Sequence, residues 1–523
     1  VLIGGGIAGT KTGSITNTAS NIELGGSNSD YLGTYTQNKS GDATPTLTVS
    51  QGATFFGGTS NINAGTLNWN TENDIADDAK LTINNAALVV GENGLLTIKG
   101  ESSIDNASSV TSNGNLVLAK NMTVKTIDGS GKLTANNSTL TFDNNSSLGN
   151  SLTFASNNAT ANIENITNAD GIINKIASGE NNKLTINING SSTNADISID
   201  SNKISDLNFS GNVNYGGKIT GTSGNVTNSG TLKITGDQKG FTGTFTQNSG
   251  STTVANSNML FGGEKNINGG TLTINSGTID YAGVKLGSGA TLAQTLTTTT
   301  SENRANLTSN EINFTGECER ASANFSGGNI NLSRIDNGST NTISFDGSNV
   351  KLTETNYTGS TIYDFKNSEI DVIKADDEAL GNYIFDNIKT DNTKLSFNIR
   401  INRDDDNGNT ISTDTITVNG NQDQEFKLGN IHISGEENGQ RGDYNSTNNT
   451  LDGAAAFDKT NTITGATTSW IYDITNDDQS VKLSINDYAN SSTLNNMNTT
   501  SGKRFFQFTE KTDGDTYHIA DSL

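Results

Sequence analysis

A chain of 523 residues with 31% hydrophobic and 17% charged residues carries too few apolar side chains for several compact cores. It also has too little charge for a disordered polyelectrolyte. The formal net charge of −23 opposes nucleic acid as a partner, because phosphate binding needs clustered Lys and Arg. One proline among 58 glycines excludes collagen, and a single cysteine, Cys318, excludes an internal disulfide.

The missing mass is Gly, Asn, Thr and Ser, which suit turns and strand faces rather than helices. A solenoid reconciles such a composition with a folded chain, since each coil supplies only a few inward side chains and stacks on its neighbour. No run approaches the ~20 apolar residues of a membrane helix, so direct membrane insertion is not expected.

The chain opens at Val1-Leu2-Ile3 without a basic leader, so it is expected to be either a protein that is not exported or a trimmed, mature piece, and the repeats below favour the latter. Gly4-Gly5-Gly6-Ile7-Ala8-Gly9 satisfies the dinucleotide-binding pattern G-x-G-x-x-G. That pattern needs a helix after it, with its N-terminus on the pyrophosphate. Lys11 to Ile22 is mostly Thr, Ser, Gly and Asn, so a glycine-rich first coil with no cofactor is expected instead.

Two distant segments nearly repeat each other. Gly33-Thr34-Tyr35-Thr36-Gln37-Asn38, Phe56-Gly57-Gly58, Asn61-Ile62-Asn63 and Gly65-Thr66-Leu67 return as Gly243-Thr244-Phe245-Thr246-Gln247-Asn248, Phe261-Gly262-Gly263, Asn266-Ile267-Asn268 and Gly270-Thr271-Leu272. The first copy carries extra residues from Ser40 to Pro45, which reads as a loop insertion.

Apolar-x-apolar triplets recur between Asn, Gly and Ser clusters: Leu81-Thr82-Ile83, Leu96-Thr97-Ile98, Leu116-Val117-Leu118, Leu152-Thr153-Phe154, Leu184-Thr185-Ile186 and Leu232-Lys233-Ile234. Both apolar residues of a triplet point to one face of a strand. Further on, Phe325, Phe345, Phe365 and Phe385 follow one another at 20-residue intervals. The apolar pairs Ile330 and Leu332, Val350 and Leu352, and Ile370 and Val372 follow at fixed offsets.

About 20 residues make one coil of a β-helix, so the four Phe are expected to stack in one interior column. Sandwiches and barrels also use short strands, but a fixed register of this kind is hard to obtain there. The predicted fold is all-β, a right-handed parallel β-helix.

Asp376 to Leu380 reads as one short helical turn. From about Arg403 the chain is more charged and less regular. Trp470-Ile471-Tyr472-Asp473 followed by Val481-Lys482-Leu483-Ser484-Ile485 reads as a hairpin suited to capping a solenoid end. The expected organisation is a β-helix over 1–402, further coils and a cap hairpin over 403–487, and a polar linker over 488–523.

Phe241-Thr242-Gly243-Thr244-Phe245-Thr246-Gln247, with Thr253-Val254 and Gly269-Gly270-Thr271-Leu272-Thr273-Ile274, resembles repeats in the passenger domains of bacterial autotransporters. The Trp470–Asp473 hairpin stands where such passengers carry their C-terminal folding cap. The resemblance implies export to the bacterial cell surface or release into the medium. It implies a C-terminal β-barrel translocator too, which is expected to lie outside this passenger piece, since the ending Ala520-Asp521-Ser522-Leu523 lacks the terminal aromatic residue of such a barrel.

Candidate chemistry is sparse. His432 and His518 are the two histidines, and neither lies near G-x-S-x-G or Gly-Asp-Ser-Gly, so no catalytic triad is expected. Asp404-Asp405-Asp406-Asn407-Gly408-Asn409 lacks the leading acid of an EF-hand loop, Arg403 standing there, and reads as a solvated turn rather than a metal site. Cys318 sits between Glu317 and Glu319, neighbours that discourage thiolate chemistry.

Arg441-Gly442-Asp443 is an adhesive tripeptide in a polar stretch and the candidate partner-binding site. The expected function is adhesion or autoaggregation by a non-enzymatic passenger. Its partners would be host-surface or matrix molecules, or another copy on a neighbouring cell. The alternatives are a toxin-like passenger and a carbohydrate-active enzyme using paired carboxylates.

Overall fold

The computed structural model describes residues 1–419 apart from 106–107, 137, 180–181, 280–282, 298–303, 310–311, 315–320, 337, 374–378 and 403–409. Beyond them it describes the backbone of the strands Phe426–Gly435, Ile471–Asp477, Ser480–Asn486, Ala489–Asn490, Thr509–Thr512 and Thr516–Ile519. The protein is nearly all β, its parallel sheets stacked as a β-solenoid of about 17 turns. Two compact units divide it, Val1–Val254 with Met259–Lys265, and Ala255–Asn258 with Asn266–Leu523.

In the first unit one long sheet runs from Leu2–Ile3 through Asn21–Leu24, Thr46–Val49 and Thr66–Trp69 as far as Asn225–Asn228 and Thr244–Gln247. A second, five-stranded sheet joins Ser14–Asn17, Thr34–Gln37, Thr59–Ile62, Lys80–Ile83 and Ser103–Ile104. A third joins Leu95–Ile98, Asn115–Leu118, Lys132–Ala135, Leu152–Phe154 and Ile176–Ser178.

Strands of four residues alternate buried and half-buried side chains, so each contributes two residues inward. This is why 31% apolar content suffices. Parallel register then stacks like on like: Leu96 on Leu116, Leu133, Leu152 and Ile176. Every triplet read from the sequence lies in a strand with both apolar residues buried. Between Thr34–Gln37 and Thr46–Val49 the extra residues form a largely exposed turn over Ser40 to Thr44, and Pro45 is buried.

In the second unit Ser322–Ser326, Thr342–Asp346, Ile362–Lys366 and Ile388–Asp391 form successive parallel rungs. Phe325 registers with Phe345 and Phe345 with Phe365, their ring centroids 5.9 and 5.0 Å apart in stacked pairs. Ile330, Val350 and Ile370 form a second column.

The fourth member of the expected Phe column is a correction. Phe365 registers with Thr390, while Phe385 registers with Tyr357 on a different sheet and stacks on it at 4.8 Å. The coil after Phe365 is longer than twenty residues, so a twenty-residue step ends one face early.

Among the described residues the one α-helix is Asp170–Ile173, which buries Ile172 and Ile173. The turn expected at Asp376–Leu380 falls mainly on residues outside the description. Parallel pairing continues past residue 402, with Thr415–Val418 on Asn382–Phe385 and Phe426–Gly435 on Thr393–Asn402. Antiparallel pairing enters with Thr410–Thr413 on Thr393–Asn402. The expected hairpin forms between Ile471–Asp477 and Ser480–Asn486, with Tyr472 opposite Ile485.

Candidate functional site

The two similar segments build the same local structure, and the likeness reaches further upstream than their sequences suggest. Tyr31 meets Phe56 edge-on at 5.4 Å, as Phe241 meets Phe261 at 6.0 Å. Gly9 bridges to Tyr31, as Gly221 bridges to Phe241. The Ile7 amide donates to Asn28 Oδ1 at 3.1 Å, and the Ile219 amide donates to Gln238 Oε1 at 2.7 Å. Asn28 and Gln238 are both fully buried. The opening glycine run is thus a coil corner, and strands Ser14–Asn17 and Asn21–Leu24 follow it where a dinucleotide motif needs a helix.

Both copies also place amides in the core. Asn17 registers with Gln37 and Asn228 with Gln247, all buried. Gln37 Nε2 donates to the carbonyls of Pro45, Ala64 and Thr66, and its Oε1 accepts from Tyr35 OH at 3.0 Å. These carbonyls lie at or beside coil corners, and the interior amide gives each a buried side-chain donor, that of Pro45 in addition to the Thr66 amide. Sequence reading assigned Gln37 only to the repeated segment, with no inward role. Its spacing from Tyr35 within one strand was the signal that it points inward.

Lys265 occupies the place of Ser60 in the first copy and is 1% exposed. Its Nζ donates to the carbonyls of Phe261 and Gly263, and burial pushes its ammonium down to about 8. Arg304 reaches the carbonyls of Ile330 and Asn349 and pairs with Asp371 at 2.8 Å. Burial holds the guanidinium below its ordinary value and the Asp371 carboxyl above its own, so desolvation outweighs their attraction. These groups hold coils together.

The outward face of the long sheet is different in kind. Thr141, Asn162, Asn187 and Asn208 stand in register. Asn187 Nδ2 donates to Asn162 Oδ1 at 2.8 Å, and Asn208 Nδ2 donates to Asn187 Oδ1 at 2.9 Å. A similar ladder links Asn38, Asn63 and Asn84. Two residues before Asn208 on the same face, Asp206, Asn225 and Thr244 form a neighbouring row. That row borders a cavity of about 540 Å³, lined by Ser, Thr, Asn, Gly, Lys183, Asp206 and Glu264.

Arg441, Gly442 and Asp443, the residues Asp404–Asn409, and Cys318 lie outside the described residues. His432 and His518 fall in the strands Phe426–Gly435 and Thr516–Ile519. Among the described residues no three His, Cys, Asp or Glu side chains gather to hold a metal, and no helix is long and apolar enough to cross a membrane. Comparison with known protein families, curated proteins and solved structures finds no match to this chain.

Proposed function

We propose that this chain is a non-enzymatic binding scaffold of the autotransporter-passenger kind, displayed at or released from a bacterial surface. Its partners are host-surface or matrix molecules, or a second copy on a neighbouring cell. The observation that carries the reading is the outward row of Asn162, Asn187 and Asn208, continued in register by Thr227.

Such a row repeats one uncharged hydrogen-bonding group at about the 4.8 Å strand spacing. Each amide keeps donor or acceptor capacity after bonding its neighbour. Many weak contacts along a repeating surface sum to useful avidity without a deep pocket. The segment Phe241–Gln247, which resembles passenger repeats, belongs to the same unit.

Cells displaying the chain are expected to settle faster than bare cells, or to bind immobilised matrix proteins or host cells. Neither aggregation nor adhesion above the bare-cell level would sink the reading.

A further inference from the structure

We infer that the cavity bordered by Asp206, Asn225 and Thr244 is a binding site for a neutral linear oligosaccharide. The inference rests on the binding-scaffold reading and gives it a ligand class. Lys183 lies on the first of the contributing coils and Glu264 on the last. Between them the strand Ile204–Ser210 pairs with Asn225–Asn228, and that strand with Thr244–Gln247, so the lining side chains repeat at the strand spacing.

The lining discriminates between ligand classes. It carries no aromatic or aliphatic side chain among the described residues, so an apolar ligand gains nothing there. Asp206 and Glu264, on a chain of net charge −23, disfavour a polyanion. An extended peptide adding itself as a strand needs a free sheet edge, and Ile204–Ser210 is already paired on both sides. A polyhydroxylated chain meets hydroxyls, an amide and carboxylates, partners for groups that both donate and accept. In an extended glycan those groups recur at a spacing close to that of the strands.

Asp206 is oriented for recognition. Its Oδ1 accepts from Asn225 Nδ2 at 2.9 Å and its Oδ2 from Ser205 Oγ at 2.6 Å. Both oxygens are thereby aimed, and each keeps a lone pair for a sugar hydroxyl.

In the first copy of the repeat Leu32 replaces Thr242 and Thr59 replaces Glu264. Leu32 is 45% exposed there. The same backbone thus carries a different lining, and Leu32→Arg serves as a control.

The test is calorimetric titration of the full chain with cellohexaose, chitohexaose and maltohexaose, with hexalysine and a heparin hexasaccharide as charged controls. Saturable binding of at least one neutral hexaose is expected. Thr242→Arg, at an exposed position, should weaken it roughly tenfold or more. Asn225→Ala should weaken it less, and Leu32→Arg should leave it unchanged.

The inference is overturned if no neutral hexaose binds saturably, if binding survives Thr242→Arg in a protein with unchanged melting, or if only hexalysine responds to that substitution. Adhesion by the displayed chain is scored separately. If adhesion is absent while a hexaose binds, the scaffold reading fails and the site stands. If adhesion persists without saccharide binding, the site fails and the scaffold stands.

Discussion

Lys265 Nζ donates to the Phe261 carbonyl at 2.9 Å, from a side chain that is only 1% exposed. A second carbonyl, that of Gly263, receives another of its protons. An ammonium so placed has traded bulk water for two neutral acceptors, and the neutral amine is correspondingly favoured.

The pH dependence of stability follows. The folded value near 8 lies below the unfolded 10.5. Between them the unfolded chain binds more protons, so stability rises with pH across that window. The contribution is complete above the unfolded value and is lost as pH falls through about 8. It amounts to on the order of 3 kcal/mol. Relative to Lys265→Met, the wild type should therefore gain melting temperature as pH rises from about 8 to 10.5, with a constant offset below and above that window. Parallel pH profiles for the two proteins would count against this account.

The Phe column is expected to be locally essential. Phe345 stacks on Phe325 on one side and on Phe365 on the other, and all three are buried. Phe345→Ala should cost about 3–5 kcal/mol, and Phe345→Leu clearly less. Hydrogen exchange should speed up in Ser322–Ser326 and Ile362–Lys366, because a repeat fold transmits damage to its neighbours first. Phe385→Ala should instead loosen Asn356–Tyr357, the strand it stacks on.

Removing the interior amide should cost more than removing the hydroxyl that serves it. Tyr35→Phe deletes one donor to Gln37 and should cost about 1 kcal/mol. Gln37→Leu leaves Tyr35 OH and Asn17 without that partner, and also the carbonyls of Pro45, Ala64 and Thr66. Each buried group left unsatisfied costs about 1–3 kcal/mol. Chemical denaturation of both variants would check the order. An equal loss would mean that the amide is not the hub.

Corner glycines should divide by what lies beside them rather than by their spacing. A Cβ on Gly263 would fall 2.0 Å from the Gly243 carbonyl oxygen, and one on Gly58 would fall 2.2 Å from that of Gly33. Gly263→Ala therefore forces adjacent coils apart and should sharply lower the melting temperature. Gly41 has φ +59° and open space around it, so Gly41→Ala carries only the left-handed penalty of about 1 kcal/mol. Comparable losses in both would argue against close coil contact as the cause.

Part of the candidate surface was legible in advance. Triplets such as Leu96-Thr97-Ile98 announce which residues enter the core, because alternation along a strand is a local property. The Asn162–Asn187–Asn208 ladder was not announced, since those residues are 25 and 21 apart. Unequal coil lengths hide such a register from inspection of the chain. Unequal coils also misplaced Phe385, and the upstream half of the repeat escaped notice because Gly9 and Gly221 share a backbone position in dissimilar surroundings.

The amino-acid sequence by itself determined that this protein is a parallel β-solenoid with a thin core and polar corners. Period-two burial and near-duplicate segments depend only on neighbours along the chain. The tertiary structure alone decided which side chains meet across coils: Phe385 on Tyr357, Gln37 on three corner carbonyls, and Asp206 beside Asn225 at the edge of a polar cavity. Those meetings are set by the cumulative length of every intervening turn, and a difference of a few residues in one coil carries a side chain to another face.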